Sequence, residues 1–106
     1  MMTARMAHPV TILPEAMEAL RTLGSAGEKS GVSREIVGLA QLRASQINGC
    51  SVCVEAHCRQ MKKAGESDER LFAVAAWRDA PYFTNAERAA LALAEALTRL
   101  NDPRTP

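Results

Sequence analysis

Thr84-Asn85-Ala86-Glu87, followed by Arg88-Ala89-Ala90-Leu91-Ala92-Leu93-Ala94-Glu95-Ala96-Leu97, leaves the chain little choice but a helix. The Thr84 and Glu87 side chains can each satisfy the other's backbone N–H, the reciprocal pairing of a capping box. Alanine and leucine behind it are strong helix formers without a β-branch. The run predicts a helix to about Leu100. Ala86, Ala90, Leu93, Leu97 and Leu100 form one stripe, while Ala89, Leu91, Ala92 and Ala96 spread apolar surface around the cylinder. A helix apolar on more than one face is buried on more than one face. A chain of 106 residues has little core of its own to cover both, so assembly with another subunit is expected.

The rest of the chain fits the same class. Hydrophobic residues make up 47% but aromatics only 4%, a balance that favours close-packed helices over a sheet. Pro14 suits the first turn of a helix to about Leu23, after which Gly24, Gly27, Lys29 and Gly31 read as a loop. Ser33 is placed to cap a second helix over Arg34 to Gln46. Asn48-Gly49 is a turn signal, and the next helix runs from about Cys50 to Ala64, with Gly65 as its stop. Ser67 caps a short helix through Leu71, Val74 and Trp77, which Pro81 ends. The expectation is an all-α single domain over 1–106, with about five helices, a core at 33–100, an irregular arm at 1–12 and a flexible tail at 101–106. Oligomerisation would complete it.

Charge and cysteine usage exclude several function classes. The net charge is +1, from 13 basic and 12 acidic residues, and no Lys/Arg block or basic–aromatic interleaving points to nucleic acid. No segment reads as a signal peptide or a membrane span. Three cysteines, an odd number, suit a cytoplasmic protein with working thiols better than a secreted disulfide scaffold.

The working thiols are in Cys50-Ser51-Val52-Cys53-Val54-Glu55-Ala56-His57, directly after the Asn48-Gly49 turn. On a helix starting there, Cys50, Cys53 and His57 share an arc of about 60°. The positive end of the helix dipole favours a thiolate at such a position, and a histidine on the same face can take or relay the thiol proton. The spacing therefore suits thiol redox chemistry. Two buried, inert cysteines are the plain alternative. Zinc would find only three ligands here, where a structural site takes four, since Cys58 points about 120° away from the others. Val54 stands where haem attachment would need a histidine.

Other polar and aromatic residues have simpler readings. Cys58 reads as a packed residue, His8 as solvated, and Trp77 and Tyr82 as core or interface aromatics. Arg78 and Asp79 would hold the loop before Pro81, and Arg43 and Gln46 could cap, pair or line a pocket. Glu35 suits a first-turn acid complementing the helix dipole, or a carboxylate facing the cysteine helix and moving a proton.

Leu42-Arg43-Ala44-Ser45-Gln46-Ile47-Asn48-Gly49-Cys50-Ser51-Val52-Cys53, with His57 following, resembles the signature of the AhpD-like alkylhydroperoxidases of the carboxymuconolactone decarboxylase superfamily. Trp77-Arg78-Asp79-Ala80-Pro81 and Asn85 to Ala96 are similar to the same pattern, so the resemblance covers about residues 33 to 100. It implies an all-α fold assembling as trimers or hexamers, with Cys53 as peroxidatic thiol, Cys50 as resolving thiol and His57 in a proton relay. No metal, haem or flavin is implied. The decarboxylase branch of the superfamily does not depend on the CxxC.

Three features depart from that pattern. The relay glutamate usual in the family falls at Gly38, twelve positions before Cys50, and Glu35 is the candidate substitute. Ser51-Val52 stand where well-known members carry a histidine. Many members continue with further helices beyond this length.

The resulting expectation is thiol-dependent reduction of an organic hydroperoxide, with an unidentified thiol or protein reductant. A general disulfide oxidoreductase or redox sensor is the nearest alternative, and a non-catalytic oligomerising protein the third.

Overall fold

The computed structural model describes residues 3–101, and every regular element among them is helical. These are α1 (Pro9–Ile12), α2 (Pro14–Glu28), α3 (Arg34–Asn48), α4 (Ser51–Lys63), α5 (Asp68–Ala73), a 3₁₀ turn over Val74–Ala76, and α6 (Asn85–Thr98). The chain falls into two compact units that divide between Val32 and Ser33.

The first unit holds α1 and α2 and corrects two expectations. The arm is not irregular throughout. Pro9 begins a single turn, and His8, exposed to solvent as read, also caps it by accepting the Val10 N–H on Nδ1 at 3.2 Å. Helix α2 does not stop at Leu23 but continues through Gly24 and Gly27 to Glu28. A glycine in a helix costs about 1 kcal/mol relative to alanine, which weakens the run without ending it. Within the helix the Ser25 hydroxyl bonds back to the Thr22 carbonyl at 2.8 Å, and just past its end Ser30 bonds back to Gly27 at 2.6 Å.

The second unit carries α3 to α6. Helix α3 packs against both α4 and α6 and also meets the 3₁₀ turn. Its Leu39 and Leu42 are fully buried, alongside Val74 and Leu91, with Met61, Leu71, Trp77 and Phe83 completing the core. Each such side chain contributes about 1.5–3 kcal/mol by leaving water.

The expected caps form. Ser33 Oγ accepts from Ile36 N–H at 3.2 Å and Ser67 Oγ from Arg70 N–H at 3.3 Å. Thr84 and Glu87 make both bonds of the capping box, at 2.8 and 3.2 Å. The short helix after Ser67 tightens to 3₁₀ at Val74, so Trp77 lies just beyond it.

Two faces of α6 differ. Glu87, Leu91 and Glu95 point inward and are buried, whereas Leu93 and Leu97 are exposed, as is Leu100 just past the end of the helix at Thr98. The expected tail over 102–106 lies outside the described residues. No helix among those described is long and apolar enough to cross a membrane.

Candidate functional site: the thiol turn

Helix α3 ends at Gly49, whose φ of 69° lies in the left-handed region that a side chain would strain. The Gly49 N–H reaches Gln46 O at 3.2 Å and the Cys50 N–H reaches Ser45 O at 3.1 Å, the paired bonds of a Schellman ending. Cys50 is then extended and serves as the N-cap of α4. Its Sγ accepts the Cys53 N–H at 3.3 Å. One residue thus closes α3 and opens α4, which fixes where its sulfur sits.

Cys50 and Cys53 are joined as a disulfide, with Cα atoms 5.3 Å apart. Both are half-buried, while Ser51 and Val52 between them face solvent. The sulfurs lie at the positive end of α4, where anionic sulfur is favoured over the neutral thiol. His57 is half-buried, one turn after Cys53 on the same unbroken helix. Residues so spaced have Cβ atoms about 5–6 Å apart. No hydrogen bond or ion pair engages the imidazole among the described residues, which leaves both ring nitrogens available. Cys58 is a free thiol packed beside Val54 against the core, in keeping with its reading as a packing residue.

Glu35 is exposed in the first turn of α3. The thiols lie beyond the last turn of that helix, about 20 Å of helical rise away. The structure does not bring Glu35 to them, and its place is that of a dipole-complementing acid. At Gly38, a Cβ would meet Met61 Cγ and Sδ at 3.3 Å, so the methionine fills the space that a longer side chain would need. Among the described residues no cluster of His, Cys, Asp or Glu is gathered as a metal site.

A second polar constellation lies on α6. Glu95 is buried and receives Arg43 Nε at 2.9 Å and Trp77 Nε1 at 3.1 Å on one oxygen, with Arg78 Nη1 on the other. Arg99 Nη1 stands 3.5 Å from that second oxygen. Burial alone would raise the Glu95 pKa, but the bonds from Arg78, Arg43 and Trp77 outweigh it and bring it down to about 2. Arg43 Nη1 also donates to Gln46 Oε1 at 3.2 Å. Trp77 is flanked by Arg78 and Arg88, 4.3 and 5.2 Å from its ring centre. Beside these groups lies an open recess of about 210 Å³, lined by Arg43, Trp77, Arg78, Asp79 and Glu95 among others.

This cluster makes Trp77 a core residue, puts Arg43 in an ion pair and ties Arg78 down. Tyr82, by contrast, is exposed. Sequence reasoning did not single out Glu95. Its signal was its isolation, as the one charged side chain between Arg88 and Arg99 in a run of alanine and leucine.

Comparison with known proteins places this architecture. The sequence model of the carboxymuconolactone decarboxylase family matches residues 14–96. The uncharacterised protein YdfG of Bacillus subtilis is 32% identical over 95 residues, 90% of this chain and 65% of that protein. The uncharacterised protein YnjA of Escherichia coli is 33% identical over 69 residues, 65% of this chain and 38% of that protein. The chain therefore spans less than two thirds of either curated relative. Among solved structures, ATU0492 of Agrobacterium tumefaciens is a protein of unknown function described as a candidate antioxidant defence protein AhpD. It superposes with a TM-score of 0.85 at 32% identity, over 94% of this chain and 68% of that one.

Proposed function

The chain belongs to the carboxymuconolactone decarboxylase family, and from that premise we propose that it is an AhpD-like thiol peroxidase acting on organic hydroperoxides. The observation that carries this reading is the Cys50–Cys53 disulfide at the head of α4, with His57 one turn along. His57 singles out Cys53 as the nucleophile, because the imidazole is its neighbour one turn away and can take its proton.

The Cys53 thiolate attacks the terminal peroxide oxygen, the O–O bond breaks, and the departing alkoxide takes a proton to leave as alcohol. Cys53 becomes a sulfenic acid. Cys50 sulfur then displaces hydroxide from it, water leaves, and the disulfide forms. An external dithiol returns the pair to thiols. Glu35 stands outside this sequence, so proton movement rests on His57 and solvent.

The exposed Leu93, Leu97 and Leu100 support a homo-oligomer that covers this stripe, and the family resemblance suggests a trimer or hexamer. A second reading, disulfide exchange with a protein, is favoured by Val52, which lies between the thiols and is 76% exposed. It would present an apolar contact to a partner chain.

Two variants test the peroxidase reading. Cys53→Ser reduces peroxide consumption to background, and Cys50→Ser leaves a sulfenic acid on Cys53 that dimedone traps. Undiminished turnover in Cys53→Ser would remove the mechanism.

A further inference from the structure

Three contacts in series connect the buried carboxylate on α6 to the thiol turn. Glu95 holds Arg43 through Nε at 2.9 Å, and Arg43 holds the Gln46 side chain through Nη1 at 3.2 Å. The Gln46 carbonyl accepts the Gly49 N–H at 3.2 Å. The next bond in the same turn, from Cys50 N–H to Ser45 O, sets Cys50 where its Sγ caps α4.

We propose that Gln46, braced from Glu95 through Arg43, is a positioning residue that sets the geometry of the Cys50 sulfur at the head of α4. Arg43 and Glu95 are both buried, so the base of the brace is fixed, while its Arg43–Gln46 link is half-buried. Gln46 is the last side chain of this series and the point where it meets the turn. Elsewhere in the turn the backbone makes its own local bonds. Through Arg43 on its own helix, the Gln46 side chain links the turn to Glu95 on α6.

The consequence falls on Cys50 as a leaving group. When a thiolate of dithiothreitol attacks Cys53 Sγ, a mixed disulfide forms and the Cys50–Cys53 bond breaks. The electron pair leaves on Cys50. The second dithiothreitol thiol, having lost its proton to solvent, closes the reagent's ring and releases the Cys53 thiolate. The rate depends on how well the leaving sulfur carries charge, which the N-cap position favours while the Cys53 N–H points at it. A turn released from Arg43 lets that alignment wander. The departing thiolate is then held less well, the reduced state loses its advantage, and the disulfide persists.

This inference rests on Cys50 and Cys53 acting as a redox pair, not on peroxide being the oxidant, so its test contains no peroxide. The oxidised full chain is reduced with dithiothreitol at neutral pH, and the pair is separately equilibrated in glutathione buffers of known ratio. Gln46→Met keeps the side-chain length without the acceptor oxygen. Gln46→Asn keeps the amide but draws it out of Arg43's reach. Both should be reduced about threefold or more slowly than wild type, and both should shift the glutathione balance toward the disulfide by a similar factor. Wild-type rates and balance in both variants would overturn the proposal. So would a shift confined to Gln46→Met, which would assign the effect to side-chain character rather than the bond. Failure of peroxide turnover would sink the peroxidase reading and leave this result standing.

Discussion

The thiol turn and the Glu95 cluster, which reaches α3 through Arg43, are built on opposite principles. Around Glu95 the polar groups are densely bonded: a buried carboxylate takes bonds from Arg43, Trp77 and Arg78, and Arg88 holds the Trp77 and Arg78 carbonyls at 3.0 and 3.1 Å. At the thiol turn the sulfurs are half-buried, Val52 and Ser51 face water, and the His57 imidazole has no partner among the described residues. A saturated cluster holds helices together and has no capacity left for chemistry. A sparsely bonded one can exchange protons and electrons, but must be held in place by something else. The Arg43–Gln46 bond is where the first region meets the second.

The contrast makes predictions that can break it. The largest concerns Glu95→Ala, which leaves Arg43 buried without its counter-charge. Removing one partner of such a pair costs about 3–5 kcal/mol, to be read as a lower urea midpoint. A loss below about 1 kcal/mol would mean the cluster is not the saturated brace described.

Acid should act through the same group. The Glu95 pKa is depressed in the folded chain to about 2, so its contribution is fully present above the usual carboxylate range. It is lost as pH falls from about 4.5 toward 2 and amounts to on the order of 3 kcal/mol. Glu87 adds in the same direction. Its burial is outweighed by the bonds from Arg70 and the Thr84 backbone, which lower its pKa. Denaturant midpoints measured across that window should fall steeply, and more shallowly in Glu95→Gln.

At the thiol turn, His57→Ala should leave the unfolding midpoint within about 0.5 kcal/mol, as for an ordinary partly exposed site. It should slow peroxide consumption by about 10²-fold at neutral pH, where a proton acceptor matters most. A slowing that did not diminish at alkaline pH would argue against a proton-transfer role. The smallest effect belongs to Arg59→Ala, which removes an exposed pair with Glu55 at 2.6 Å. It should cost about 0.5 kcal/mol or less and leave thiol chemistry unchanged.

What could be read in advance follows the range of the interactions involved. Ser33, Ser67 and Thr84 were legible as caps because each bonds a backbone group three residues away, and Gly49 and Gly65 as stops because a left-handed φ is a local demand. The face shared by Cys50, Cys53 and His57 follows from helical spacing alone. Helix α2 outran its expected end because glycine's cost is a tendency rather than a stop, and the Thr22 and Ser25 hydroxyls bond back within the helix. The Glu95 cluster joins residues 43, 77, 78 and 95, and no local rule says that these meet. Arg43 looked equally able to cap, pair or line a pocket until α6 supplied its carboxylate. Glu35 shows the same limit from the other side, since its type suited a proton relay and its position at the far end of α3 does not.

The central claim is tested most directly by mixing the reduced chain with one equivalent of an alkyl hydroperoxide, counting free thiols with time and mapping the product by mass spectrometry. The account predicts rapid loss of two thiols per chain, recovered as a Cys50–Cys53 disulfide with Cys58 still free. Thiol loss no faster than that of free cysteine would contradict it.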